Sequence, residues 1–548
     1  VYSVLYFFNA LAPVAIPGGG TDYLASVARW WHDHGWGEHV WSRLSGIPPG
    51  LGMLFLVAFS IGKHSAAALV HFTFLAALPC LLLCYGRRFG MARPFILGAM
   101  LVYLSPIAGV AGTSAYYYLA AASVLFGLFY VLQIWDEVRN PRLLVLAALL
   151  AVFGGALTYA SIPGVFHLQI RKLPALWSLS GESVQGLFGP WLMLTPVALV
   201  AVRWKHGRRL LLAAAICAVA ALVNNSTRFL LPAAVFAAPA LGMAVQNSPG
   251  ILPLLLALHS FVSWPNAVGA FAGENAWRIT GMPVAAALRR VPQDEYLKKR
   301  VAGYDVACAI EKVVPDQARV LTLLNVPQMY TSRRLAFAES DDGKRAVQAI
   351  QAGYRSMAIP LREIRFRFPE QAVQALRVVR VGGSSEAWSV AEMRVYRADA
   401  ELERQGPWRV TAKPDAFDAP RAFDNSEVTS WPAWEVAETG MYLEEDFAGE
   451  IRVDSVMLVS SPAAFGLRVD GLGADGRWKT LAGQAETVVH PTPAGLRRAA
   501  REELKSLGFS YVVARNNDEA GTELKRNAPY WGITPVREVG GACVYRLD

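Results

Sequence analysis

The sequence predicts a multi-spanning α-helical membrane domain joined to an extracytoplasmic α/β domain that carries an inserted β-sandwich of jelly-roll type. Three observations predict it. Apolar runs of near-membrane length recur through residues 1–268. The composition turns ordinary and polar from about residue 274. Within the polar half, helix-then-strand patterns stand on both sides of a strand-rich block.

The bulk numbers agree with a mixed chain. Of 548 residues, 54% are hydrophobic and 17% charged, against about 25% charged in a soluble globular protein. The net charge is +9. Much of that excess sits in short loops between apolar runs, a pattern that orients membrane proteins, so no nucleic-acid partner is expected. The five cysteines show no metal-ligand spacing, and spacing does not decide whether Cys308 and Cys543 pair. The chain begins with Val, so upstream residues are expected and any count of spans is a minimum.

Apolar runs cover residues 1–16, 65–85, 94–110, 116–135, 143–159, 187–202, 210–223, 229–245 and 251–262, which gives about nine spans. Residues 47–61 are also apolar, but the run is short and opens with "IPPG". The loops "GRRFGMAR", "WDEVRNPR" and "RWKHGRR" carry the Arg and Lys and are expected on the cytoplasmic side. All three share a side only if 47–61 lies in the interface. Residues 17–64 then form a large extracytoplasmic loop with interfacial helices, and the polar half lies on the same side. Trp30, Trp31, Trp36 and Trp41 suit the headgroup level. The expected domains are 1–268, 269–360, an insert at 361–489, and 490–548.

Asp22, in "GGGTDYLAS", reads equally as a helix N-terminal cap and as a functional acid beside a membrane. His32, His34 and His39 invite a metal reading. His32 and His34 stand two apart, on different helix faces, so solvation at the interface is the expected role.

The order "TDYLASVARWWHDHG", "IPPGLGMLFLVAFSIGKHSAAALVHF", "CYGRRFGMARPFILGAMLVYLSPIAG", "GPWLMLTPVALVAVRW" and "NNSTRFLLPAAVFAAPAL" resembles the GT-C-type membrane glycosyltransferases that use polyprenyl-phosphate sugars. Protein mannosyltransferases and lipid A aminoarabinose transferases belong to that group. The resemblance covers about residues 5–265 and rests on the order of these motifs. It implies a catalytic role for Asp22 at the acceptor, in some relatives with a divalent cation. It implies a polyprenyl-phosphate-sugar donor, a setting among membrane lipids, and a bacterial inner membrane with the polar half outside the cytoplasm. Arg228, at the outer end of a span, suits a bidentate contact with the donor phosphate, or a snorkelling anchor. Arg43 is a second phosphate candidate. Two departures stand out: "SAYYYLAAA" puts Tyr118 where many relatives have an acid, and "LTYASIPG" puts Thr158 where many have a Lys.

In the polar half, "YDVACAIEKVVPDQARVLTLLN" and "LKSLGFSYVVARNN" both read helix then strand. Between them, residues 407–485 resemble a discoidin-type (galactose-binding-like) β-sandwich through "AFDNSEVTSW", "MYLEEDFAG" and "LRVDGLGADGRWKTL". Such modules commonly bind carbohydrate or lipid, so a glycan or protein ligand is implied. Trp431 is expected in the core. Trp434 is left open between core and sugar stacking. The expected function is sugar transfer from a lipid-phosphate donor; the alternative is an inactive membrane scaffold of the same fold. A transporter is disfavoured because no internal repeat is visible.

Overall fold

The computed structural model describes residues 1–14, 20–35, 49–159, 187–224, 227–248, 250–272, 279–338, 340–355, 361–382, 387–436, 438–461, 466–491 and 494–548. Two compact units result: Val1–Ala307 with Pro327–Ser332, and Cys308–Val326 with Arg333–Asp548. The composition changes near residue 268, but the packing changes only at Ala307, because the stretch around Tyr296 and Leu297 is buried with the helical unit.

The first unit is helical. Its first seven α-helices are α1 (Tyr2–Leu11), α2 (Gly20–Asp33), α3 (Pro49–Arg88), α4 (Ala92–Leu104), α5 (Pro106–Gly112), α6 (Tyr118–Val138) and α7 (Pro141–Tyr159). A 3₁₀ segment, Pro190–Arg203, and the helices Lys205–Asn224, Leu231–Val245, Ile251–Val262 and Pro265–Phe271 follow. Against the nine or so expected, the described residues hold fewer helices of full membrane length. Among the described residues, three helical stretches are long and apolar enough to cross a membrane: Leu51–Arg88, Tyr118–Val138 and Thr227–Val245. Two bent pairs raise this to five at most: Ala92–Leu104 with Pro106–Gly112, bent by 68°, and Ile251–Val262 with Pro265–Phe271, bent by 72°. The first bend has a plain cause. Ser105 is extended, and Pro106 cannot continue the helix across it.

Helix α3 is itself two helices. Gly62 and Lys63 leave helical geometry, Lys63 with φ +53, so the apolar run of residues 47–61 ends at a kink. From His64 to Arg88 the second piece rises roughly 36 Å at about 1.5 Å per residue. Close helix contact is made by small residues. A Cβ on Gly98 would stand 2.6 Å from the Pro239 nitrogen, and one on Gly242 would stand 2.4 Å from the Pro94 carbonyl oxygen. Each helix thus offers a glycine to the other's proline.

The second unit holds two sheets. Strands β1 (Arg319–Thr322), β2 (Arg334–Phe337), β12 (Tyr511–Arg515), β13 (Ile533–Val539) and β14 (Ala542–Leu547) form a five-stranded sheet in the order β13-β14-β12-β1-β2. β1 is parallel to β2 and β12, and β14 is antiparallel to β12 and β13. The helices Asp341–Arg355, Leu496–Ser506 and Glu519–Trp531 contribute to its core with Ala346, Ala500, Leu524 and Trp531.

The chain leaves this sheet after β2 and re-enters it at β12. In between, β3 (Arg362–Val381), β4 (Ala387–Arg397), β5 (Ala400–Glu401), β6 (Arg409–Lys413), β7 (Trp431–Val436), β8 (Tyr442–Ser460), β9 (Gly466–Leu472), β10 (Trp478–Ala482) and β11 (Glu486–Val489) pair antiparallel in a nine-stranded sheet. β3 and β8 are long, and their shared ladder shifts register between Arg367 and Gln371 and between Val373 and Ala375. Bulges bend strands, so one ladder serves two halves: β4 and β11 flank one end, β6 and β9 the other. Phe366, Leu376, Trp388, Trp431, Leu443 and Val469 share one core.

Candidate functional site

One end of the helical unit gathers aromatic and cationic side chains around Arg228. The turn Thr227–Leu230 precedes the helix Leu231–Val245, whose second residue is Pro232. The guanidinium carbon of Arg228 lies 5.4 Å from the ring centre of Tyr118 and 5.4 Å from that of Phe229. The two rings meet edge to face at 5.3 Å, and Tyr117 packs on Tyr118 at 4.2 Å. Stacking holds a guanidinium by its faces, while its N–H groups project from the edges in the fork that matches phosphate.

Tyr118 opens α6, and the corner before it is fixed by His71. The His71 Nδ1 is 2.6 Å from the Ala111 carbonyl oxygen and 2.8 Å from that of Ser114. Its Nε2 accepts from the Ala120 N–H at 3.3 Å. These partners assign the hydrogen to Nδ1 and leave a neutral, fully buried imidazole. The Ser123 hydroxyl adds bonds to Leu119 and Phe74 carbonyls, tying α6 to α3 a turn further on. Sequence reasoning passed over His71; the signal was a lone ionisable residue inside an apolar run.

Helix α2 packs at the same end. Leu24 and Val27 enter the helical core, Arg29 Nη1 donates to the Ser332 carbonyl oxygen at 2.6 Å, and Lys63 Nζ lies 5.0 Å from the Trp31 ring centre. The backbone of Asp22 is the third residue of α2, inside the first helical turn. An acid in the first turn favours the helix dipole. The Asp22 side chain lies outside the described residues, as do Arg43, His39, Trp36 and Trp41 and the side chains of Thr158 and Trp434. His32 and His34 are exposed. Among the described residues no group of three or more His, Cys, Asp or Glu is placed to hold a metal ion.

The opposite end of the unit carries the basic loops, brought together. Tyr85 and His206 meet at 2.9 Å, Arg209 and Arg139 bond Asp136 at 2.7 and 2.8 Å, and Arg88 reaches Glu137 at 3.4 Å. Helix directions separate the two ends. α3 runs from His64 to Arg88, α6 from Tyr118 to Val138, and the Lys205–Asn224 helix returns toward Thr227 and Arg228.

In the second unit Trp431 is fully buried. Its Nε1 donates to the Asp415 carbonyl oxygen at 2.7 Å, and its ring meets Trp388 edge to face at 5.0 Å. Nearby lies an acid that sequence reasoning missed. Glu392 is 1% exposed, with Arg394 at 3.9 Å and Asp424 and Glu427 adding like charge. Burial pushes its carboxyl up to about 7.

Comparison with protein-family models, with curated proteins and with solved structures returned no match.

Proposed function

We propose that the chain is an integral membrane glycosyltransferase of the GT-C type, moving a sugar from a polyprenyl-phosphate donor to an extracytoplasmic acceptor. The observation that carries this reading is the Arg228 guanidinium held against Tyr118 and Phe229, at the end of the helical unit opposite the basic loops. Taking the basic end as cytoplasmic, Arg228 stands where a lipid-linked phosphate on the outer side would meet it, and α2 brings Asp22 to that side. The proposed setting is the bacterial inner membrane, with the second unit outside the cytoplasm.

The chemistry follows from these roles. The Asp22 carboxylate takes the proton of an acceptor hydroxyl as its oxygen forms a bond to the anomeric carbon. The bond from that carbon to the phosphate oxygen breaks, and the leaving phosphate keeps the electron pair and gathers charge. Arg228 offers charge-assisted hydrogen bonds to that charge. Stacking on Tyr118 and Phe229 limits the guanidinium's rotamers, so less entropy is lost when phosphate arrives. In this reading residues 407–485 of the insert form a discoidin-like module that presents Trp434 to a glycan or protein.

One observation favours a second reading, the inactive scaffold. Tyr118 is buried against Phe229 and Tyr117 where the resemblance calls for an acid. Reconstituted protein incubated with labelled polyprenyl-phosphate sugar separates the two. Transfer that falls at least tenfold in Arg228→Ala and is partly kept in Arg228→Lys supports the enzyme. Donor retention and transfer that are absent in the parent chain support the scaffold.

A further inference from the structure

We infer that the basic end of the helical unit is a headgroup site for an anionic phospholipid, formed between the loop at residues 87–93 and the turn at residues 203–208. The carboxylates of this end are already engaged: Asp136 by Arg139 and Arg209, and Glu137 by Arg88. Arg87, Arg93, Arg203, Lys205 and Arg208 are exposed, and none of them makes an ion pair among the described residues. Orientation in a membrane requires positive charge on one side but no fixed arrangement of it.

Here the arrangement is fixed. Tyr85 is fully buried and meets the His206 Nδ1 at 2.9 Å, and the His206 ring lies 4.9 Å from that of Phe89. These contacts hold the 203–208 turn against the 87–93 loop. Cations from two separate segments are thereby brought to the same end of the unit, and arginine edges match phosphate oxygens two at a time.

A second, independent observation points to a lipid and not to a free anion. The cations cap an exposed apolar surface. Leu199 and Val202 are 63% and 50% exposed immediately before Arg203. Leu212 and Ile216 are 63% and 64% exposed and follow Arg208 at intervals of four along the Lys205–Asn224 helix, so all three lie on one stripe. A stripe of apolar side chains that ends in arginine has the order of a phospholipid, acyl chain then phosphate. The site lies at the end of the unit opposite Arg228 and does not depend on the proposed sugar transfer.

The test uses the full chain in neutral detergent and native mass spectrometry with two probes of equal acyl length, phosphatidylglycerol and phosphatidylcholine. Retention of phosphatidylglycerol is expected to exceed that of phosphatidylcholine by roughly fivefold or more, since near-surface cations attract an anionic headgroup. The variant Arg203→Gln/Lys205→Gln/Arg208→Gln is expected to lose that preference. Arg139→Gln/Arg142→Gln, two cations removed from the neighbouring loop, is expected to keep it. Tyr85→Phe leaves every charge in place but frees His206, and is expected to lower the preference. Equal retention of the two lipids, equal loss in both charge variants, or displacement of the lipid by millimolar inorganic phosphate overturns the inference.

Discussion

Arg228 and Tyr118 stack, with 5.4 Å between the guanidinium carbon and the ring centre. One residue is the candidate phosphate ligand, and the other stands where the resembled enzymes often carry an acid. Cation–π contacts contribute about 0.5 kcal/mol when exposed and about 2 kcal/mol when desolvated. Tyr118→Leu is therefore expected to weaken donor binding by roughly 2- to 30-fold, while Tyr118→Phe, which keeps the ring, stays near the parent. The dependence of transfer rate on donor concentration measures this. Equal donor affinity in Tyr118→Leu and the parent separates the stack from the donor.

The Gly242 contact makes a sharper structural prediction. A methyl group there meets the Pro94 carbonyl oxygen at 2.4 Å, which is backbone and cannot turn aside. Gly242→Ala is expected to destabilise the helical unit by about 1–3 kcal/mol, the usual result of overpacking. Gly127 has open space at its Cβ, so Gly127→Ala is expected to be neutral or stabilising by up to about 1 kcal/mol. Thermal unfolding in detergent compares the two. A Gly242→Ala protein as stable as the parent contradicts the close helix crossing.

The buried Glu392 predicts a pH effect of definite sign. Its carboxyl titrates near 7 in the folded chain, above its ordinary value of 4.5. The neutral form is therefore the one the fold prefers. Its contribution is fully present below about 4.5 and is lost as pH rises through about 7. Burial raises Asp424 as well, in the same direction. Amide exchange in β4 and β8, corrected for intrinsic pH dependence, is expected to show more protection near pH 5 than near pH 7.5, by a few kcal/mol at most. Glu392→Gln should flatten the difference. A parent protein equally protected at both pH values removes Glu392 as its source.

Much of this architecture was legible in the sequence, and the misses have physical causes. The helical half and the strand-rich half follow from periodicity and composition. Among the described residues, full-length helices are fewer than apolar runs because hydropathy reads straight through a bend: residues 94–110 are apolar throughout, but Ser105–Pro106 divides them. Arg228 was visible because a lone cation at the end of an apolar run is costly. Its contact with Tyr118 was not, because packing between distant segments leaves no periodic trace. His71 and Glu392 were missed for a related reason. Each is an ionisable side chain inside an otherwise apolar element, and its partners come from other elements.

In the proposed transfer, Asp22 accepts the proton of the acceptor. In the first turn of α2 an acid contributes about 0.3–1 kcal/mol through the helix dipole, and Asn→Asp differences there are of that size or smaller. General-base assistance is worth roughly 10²–10⁴-fold in rate. Sugar transfer from a polyprenyl-phosphate donor by purified Asp22→Asn, beside the parent and at saturating donor, separates the two roles. Asp22→Asn is expected to keep an intact fold with turnover reduced by about a hundredfold or more; transfer at the parent rate rules out Asp22 as the base.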